Sequence, residues 1–155
     1  LMITAESVRK LAEEKAALSS NFIVDVKVKP GNKITILLDN DKGISIAECV
    51  EMTRFVEQQM NREVEDYELN VMSPGLGEPY LITQQYIKNI GRRVEVVTKE
   101  MEKVVGNLVS ANFEEIEIEW KTKEKAEGKK KKQQITKVIK LEYNQIKSAK
   151  TVIQF

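Results

Sequence analysis

The chain has 155 residues, 41% hydrophobic and 32% charged, with 25 basic and 24 acidic side chains, one cysteine and no histidine. That length holds one ordinary domain or two small ones with a buried core, and the composition excludes an intramolecular disulfide and histidine-based catalytic triads. No apolar run approaches the roughly 20 residues that span a bilayer, and the N-terminus lacks the basic-then-apolar order of a secretory signal, so a cytoplasmic protein away from membranes is expected. Thr4 is placed to cap a first helix ending near Ser19, with Val8, Leu11, Ala12 and Leu18 on one face. Phe22, Val24, Val26 and Val28 then alternate with Ile23, Asp25 and Lys27, and Pro30-Gly31-Asn32 turns this strand into a second carrying Ile34, Ile36 and Leu38. After a turn over 39–43, Ser45 and Glu48 form a capping box, Ile44 and Cys49 a hydrophobic staple, and a helix starts at Ile46. Its inward face is Cys49, Met52, Val56 and Met60. A strand over 67–73 completes an αββαβ unit, a three-stranded sheet with two helices on one face.

The stretch YELNVMSPGLGEPY interrupts a chain otherwise poor in proline and glycine. Proline has no amide proton for a ladder, so the strand stops at Pro74, and Pro74-Gly75 suits the centre of a type II turn with Gly75 at positive φ. Pro79 holds Glu78 extended. Charge divides at the same place: residues 1–82 hold 9 basic and 14 acidic side chains, a net of −5, and residues 83–155 hold 16 and 10, a net of +6. Two domains are expected, 1–82 acidic and 83–155 basic, and a basic half points to an anionic partner, nucleic acid above all.

Beyond Thr83, placed to cap one helical turn with Tyr86, Ile87 and Ile90, short strands read at 93–99, 103–112, 115–121, 135–143 and 151–155, with a helical turn over 144–150. Strands without room for crossover helices predict a small antiparallel β-barrel, closed so that no edge is exposed. The fold class is α+β. Residues 121–134, KTKEKAEGKKKKQQ, carry Lys121, Lys123, Lys125, Lys129, Lys130, Lys131 and Lys132 against Glu124 and Glu127. So charged a stretch buries too little to order itself and reads as a mobile loop between the third and fourth barrel strands. By default such a run is only a solvated loop; in a basic half, with Lys88, Arg92 and Arg93 as a second cluster, these residues become candidate RNA contacts.

Catalytic patterns fail on inspection. Ser73 lacks the preceding glycine of a nucleophile elbow, and Cys49 sits on an apolar helix face without a base. Asp39-Asn40-Asp41 begins like a calcium loop, but Ile44 and Val50 occupy its glycine and glutamate positions. Gly128-Lys129 has no strand-to-helix context for phosphate binding. Trp120 and Tyr143, at strand ends, read as barrel packing ahead of base stacking. No catalytic residue, cofactor or metal site is expected.

The order of elements and three motifs resemble the ribosome maturation factor RimP family. Ser73, Pro74, Gly75, Leu76 and Pro79 match its mid-chain S-P-G-L-D-R-P-L; LLDNDKGISIAEC and YNQIKSAKTVIQF resemble its strand-turn-helix entry and its ending. Gly77 and Glu78 stand where the family usually has Asp and Arg, so no role of that pair carries over, and the motif is assigned to the interdomain junction. The resemblance implies an Sm-like, or SH3-like, C-terminal barrel. It also implies a non-enzymatic factor that binds the immature small ribosomal subunit, touching ribosomal RNA and at least one ribosomal protein; a monomer is expected. The alternative is a free-standing Sm-like regulator of mRNA, which would form rings.

Overall fold

The computed structural model of the chain describes residues 3–125, 127–128 and 130–153. It divides into two compact units, Leu1–Gly75 and Leu76–Phe155.

The first unit runs α1 (Ala5–Ala16), β1 (Phe22–Lys29), β2 (Lys33–Asp39), α2 (Ile46–Gln59) and β3 (Glu68–Met72). Both helices start at a reciprocal capping box, Thr4 with Ser7 and Ser45 with Glu48, which satisfies two otherwise orphaned amides at each end. The strands order as β1-β2-β3, with β1 antiparallel and β3 parallel to β2. A parallel neighbour needs a crossover, and α2 supplies it.

Ile34, Ile36 and Leu38 of β2 are fully buried against Val8, Ala12 and Ala16 of α1 and Met52 and Val56 of α2, so both helices cover one sheet face. The inward set of β1 differs from simple alternation. A bulge lies between Ile23 and Asp25, so Ile23 faces Leu38 and Val26 faces Ile36. One extra residue, the buried Val24, flips the phase at that point. Leu18, expected on the helix face, is 80% exposed because α1 ends at Ala16. Cys49 is half-buried and lines a groove with Ile46 and Val50 instead of entering the core; burial raises its thiol pKa, and Glu48 adds to the shift.

The second unit contains α3 (Thr83–Lys88), β4 (Arg93–Thr98), β5 (Lys103–Ala111), β6 (Glu115–Lys125), β7 (Lys132–Glu142), a 3-10 turn (Tyr143–Gln145) and β8 (Ile146–Thr151). All pairings are antiparallel and the order is β7-β6-β5-β4-β8. This corrects the expected closed barrel: the ladder is open, with β7 and β8 at its edges. The 3-10 turn between them redirects the chain across the sheet to β4, so the two edge strands do not form a hairpin. Both edges carry lysines, Lys137 and Lys140 on β7 and Lys147 and Lys150 on β8, a device that discourages edge pairing.

Three further expectations change. The last strand is expected over 151–155, of which 154 and 155 lie outside the described residues, but the helical turn is only three residues long and β8 runs over Ile146–Thr151. Pairing with β4 and burial of Ile146 and Ala149 hold a segment whose lysines and serine argue weakly for strand. α3 is not capped by Thr83. The side-chain oxygen of the buried Gln85 accepts from the Leu81 and Ile82 amides at 2.6 and 3.1 Å, and the Thr83 hydroxyl pairs with Tyr143. The left-handed glycine of the mid-chain segment is Gly77 (φ 75°), and Gly75 is not among the positive-φ residues. The turn therefore sits at Leu76-Gly77, where a Cβ on Gly77 would come 2.8 Å from Ile153 Cδ1.

The compact division after Gly75 precedes the charge division after Ile82. Between them, Tyr80 donates its amide to Ala149 at 2.8 Å, bonds Thr151 through its hydroxyl and packs its ring edge-to-face on Tyr86, all within the second unit.

Candidate nucleic-acid interface

Residues 121–125 and 132–134, expected in a mobile loop, are strand. β6 and β7 pair without a break from Glu115 opposite Glu142 to Lys125 opposite Lys132. The physical reason is the continued period-2 pattern: Thr122 and Ile135 are half-buried opposite one another, and Glu124 receives the Lys137 ammonium at 2.6 Å on the same face. β5 accompanies β6 only as far as Glu119. Beyond it the two strands form a ribbon that pairs only with itself.

Pairing fixes which side chains share a face. Ile116, Ile118 and Trp120 of β6 point with Leu141 and Ile139 of β7 towards the core. The other face of β6 reads Glu115, Glu117 and Glu119, then Lys121, Lys123 and Lys125. Across from the acidic half stand Glu142, Lys140 and Val138; across from the basic half stand Thr136, Gln134 and Lys132. The outer face is acidic at the base of the ribbon and basic along its distal half.

Of the candidate RNA contacts, Lys121, Lys123, Lys125 and Lys132 are brought together on that face, all exposed. Lys130 and Lys131 are exposed in the connection between the strands, and Lys129 lies outside the described residues. Lys88, Arg92 and Arg93 sit at the α3–β4 junction; Lys88 is half-buried and the arginines are exposed. Arg93 pairs with Asn107, and Asn107 with Glu119, so Arg93 occupies the row at which the ribbon's acidic half ends. Of the junction residues, Ser73, Pro74 and Gly75 close the first unit, while Leu76, 84% exposed, and Pro79 open the second.

Sequence reasoning missed the two-faced register, although EIEIEWKTKEK displays it once the strand is extended to Lys125. It also missed an aromatic cluster. Tyr86 packs edge-to-face on Tyr80 and Tyr143, and these rings with Phe113, 73% exposed, line a cleft of about 550 Å³. Burial, then the neighbouring Tyr143 and Tyr80, push the Tyr86 phenol up to about 12. Tyr143 donates its hydroxyl to the Asn112 carbonyl at 2.6 Å and Trp120 packs on the core, so both serve packing. Among the described residues, no three His, Cys, Asp or Glu side chains gather into a metal cluster, and no helix is long and apolar enough to cross a membrane.

A family model for the RimP N-terminal domain matches residues 14–77. A Christiangramia forsetii protein named ribosome maturation factor RimP is 38% identical over 151 residues, covering 97% of this chain and 98% of the relative. The chain belongs to the RimP family. Relatives of the same name from Porphyromonas gingivalis, strain W83, and Flavobacterium psychrophilum are 33% and 31% identical, each over at least 98% of this chain and 100% of their own length. The family match to the N-terminal domain ends at Gly77, the left-handed turn residue. The second unit and its ribbon fall within the near-full-length similarity.

Proposed function

We propose that the protein is an assembly factor for the small ribosomal subunit, binding the immature particle through ribosomal RNA and a ribosomal protein. It acts by binding and release in the cytoplasm, without catalysis or cofactor. The near-full-length similarity to relatives named ribosome maturation factor carries this reading. The charge division supports it: an acidic domain suits basic ribosomal proteins, and a basic one suits RNA. We read the second unit as an Sm-like, or SH3-like, domain whose five-stranded ladder stays open, on the strength of its strand order and the 3-10 turn before β8. Ser73, Pro74, Gly75, Leu76 and Pro79 are read as the interdomain junction, where the prolines limit backbone freedom.

Sedimenting a tagged copy in cell extract tests the reading. It should co-migrate with free small subunits, and equal occupancy of small subunits, large subunits and whole ribosomes would reduce it to charge-driven adhesion. The lysines on both sheet edges favour a monomer over the ring of an Sm-like mRNA regulator, and gel filtration separates the two.

A further inference from the structure

We infer that the β6–β7 ribbon binds the phosphate backbone of an RNA strand with one face of its distal half, and that Glu119 marks where this contact ends. The inference rests on the RNA-contacting reading above and specifies the surface and its limit. Same-face residues of an antiparallel strand repeat about every 6.8 Å, twice the rise per residue. Lys121, Lys123 and Lys125 therefore form one row that follows the ribbon, with Lys132 across from its end. Four exposed ammonium groups in that arrangement match a polymer of regularly spaced phosphates better than a compact anion.

The neighbours of the row favour RNA. Gln134 and Thr136 complete the distal face and offer polar atoms to sugar hydroxyls and phosphates, in keeping with backbone recognition of RNA. That face has no apolar side chain to enter lipid, and the ribbon's half-buried Trp120 and Ile135 belong to the opposite face. Below Lys121 the same face turns acidic through Glu119, Glu117 and Glu115, which repels a phosphate chain and confines it to the outer half.

The test compares three variants with the parent by titration against polyuridylate RNA over a salt series. Lys121→Gln/Lys123→Gln/Lys125→Gln removes the row. Lys130→Gln/Lys131→Gln/Lys137→Gln removes the same charge from the connection and the opposite face. Glu117→Gln/Glu119→Gln removes the acidic limit. The row variant should bind about ten-fold more weakly and flatten the slope of log affinity against log salt by roughly 2, at about 0.7 per single-strand phosphate contact. The control triple should lose at most about a third as much slope. The glutamate variant should bind more tightly, a gain that misfolding does not mimic.

Equal losses in the two lysine triples would overturn the inference, leaving a diffuse cloud of charge. So would no gain from the glutamate variant. Binding to phosphatidylserine vesicles with the same dependence on the row, and equal strength, would reassign the surface to membranes. The functional reading fails separately: it falls if the parent does not sediment with small subunits, whatever the triples do on polyuridylate.

Discussion

The two sheets solve the problem of a small core in different ways. In the first unit, α1 and α2 cover one face of three strands, and charge is spread over the helices and the open face. In the second, five antiparallel strands enclose Val94, Val96, Leu108, Ile116 and Ile118, and the β6–β7 hairpin continues past its neighbours. Where a strand is covered on one side, alternation fixes what is buried. Where it outruns its sheet, the same alternation sorts charge instead.

The largest expected effects test whether the two cores carry equal weight. Ile36→Ala in β2 and Leu108→Ala in β5, both at 0% exposure, should each cost about 2–5 kcal/mol in denaturant unfolding. Hydrogen exchange should place each loss in the variant's own unit, and a loss shared evenly across both would break the comparison. Gly106→Val should cost about 1–3 kcal/mol or more, because a Cβ there would collide with the Glu119 carbonyl oxygen and push β5 off β6. An unchanged midpoint would mean that the base of the ribbon is not tightly packed.

Helix starts differ as well. Gln85→Ala should destabilise the second unit by about 1–3 kcal/mol, since two amides lose a buried acceptor. Ser45→Ala should cost the first unit only about 1 kcal/mol, measured in the same way. The reverse order would show that the Gln85 side chain is not the true cap.

Alkaline titration sharpens the contrast through Tyr86. Its phenol ionises in the unfolded chain near pH 10 and in the folded chain near 12, so the folded state holds the proton more firmly. The stabilisation is fully present below pH 10 and is lost as pH rises from 10 to 12. Ultraviolet difference titration should find a late tyrosinate step that Tyr86→Phe removes; a normal step near 10 for every tyrosine would refute it. Smallest of all, the row triple Lys121→Gln/Lys123→Gln/Lys125→Gln should move folding stability by less than about 0.5 kcal/mol, because these side chains are exposed and make no packed contact. A larger thermal shift would tie the lysines to folding.

Local chemistry alone determined the cap at Thr4 and the capping box at Ser45, the β1–β2 hairpin, the αββαβ order and the hydrophobic strands that open the second unit. Each rests on spacing within a few residues: a side chain meeting its own backbone, or a period of 2 or 3.6. Long-range contacts decided the rest. The bulge at Val24 arises from matching β1 to the inward residues of β2. β8 exists because β4 offers it a partner, and the left-handed residue is Gly77 because the turn sits at Leu76-Gly77 rather than at Pro74-Gly75. The lysine-rich stretch is the clearest case. Its composition argues for an unordered loop, yet pairing between β6 and β7 supplies the hydrogen bonds that composition does not reveal. Only that pairing places three glutamates and three lysines in line on one face.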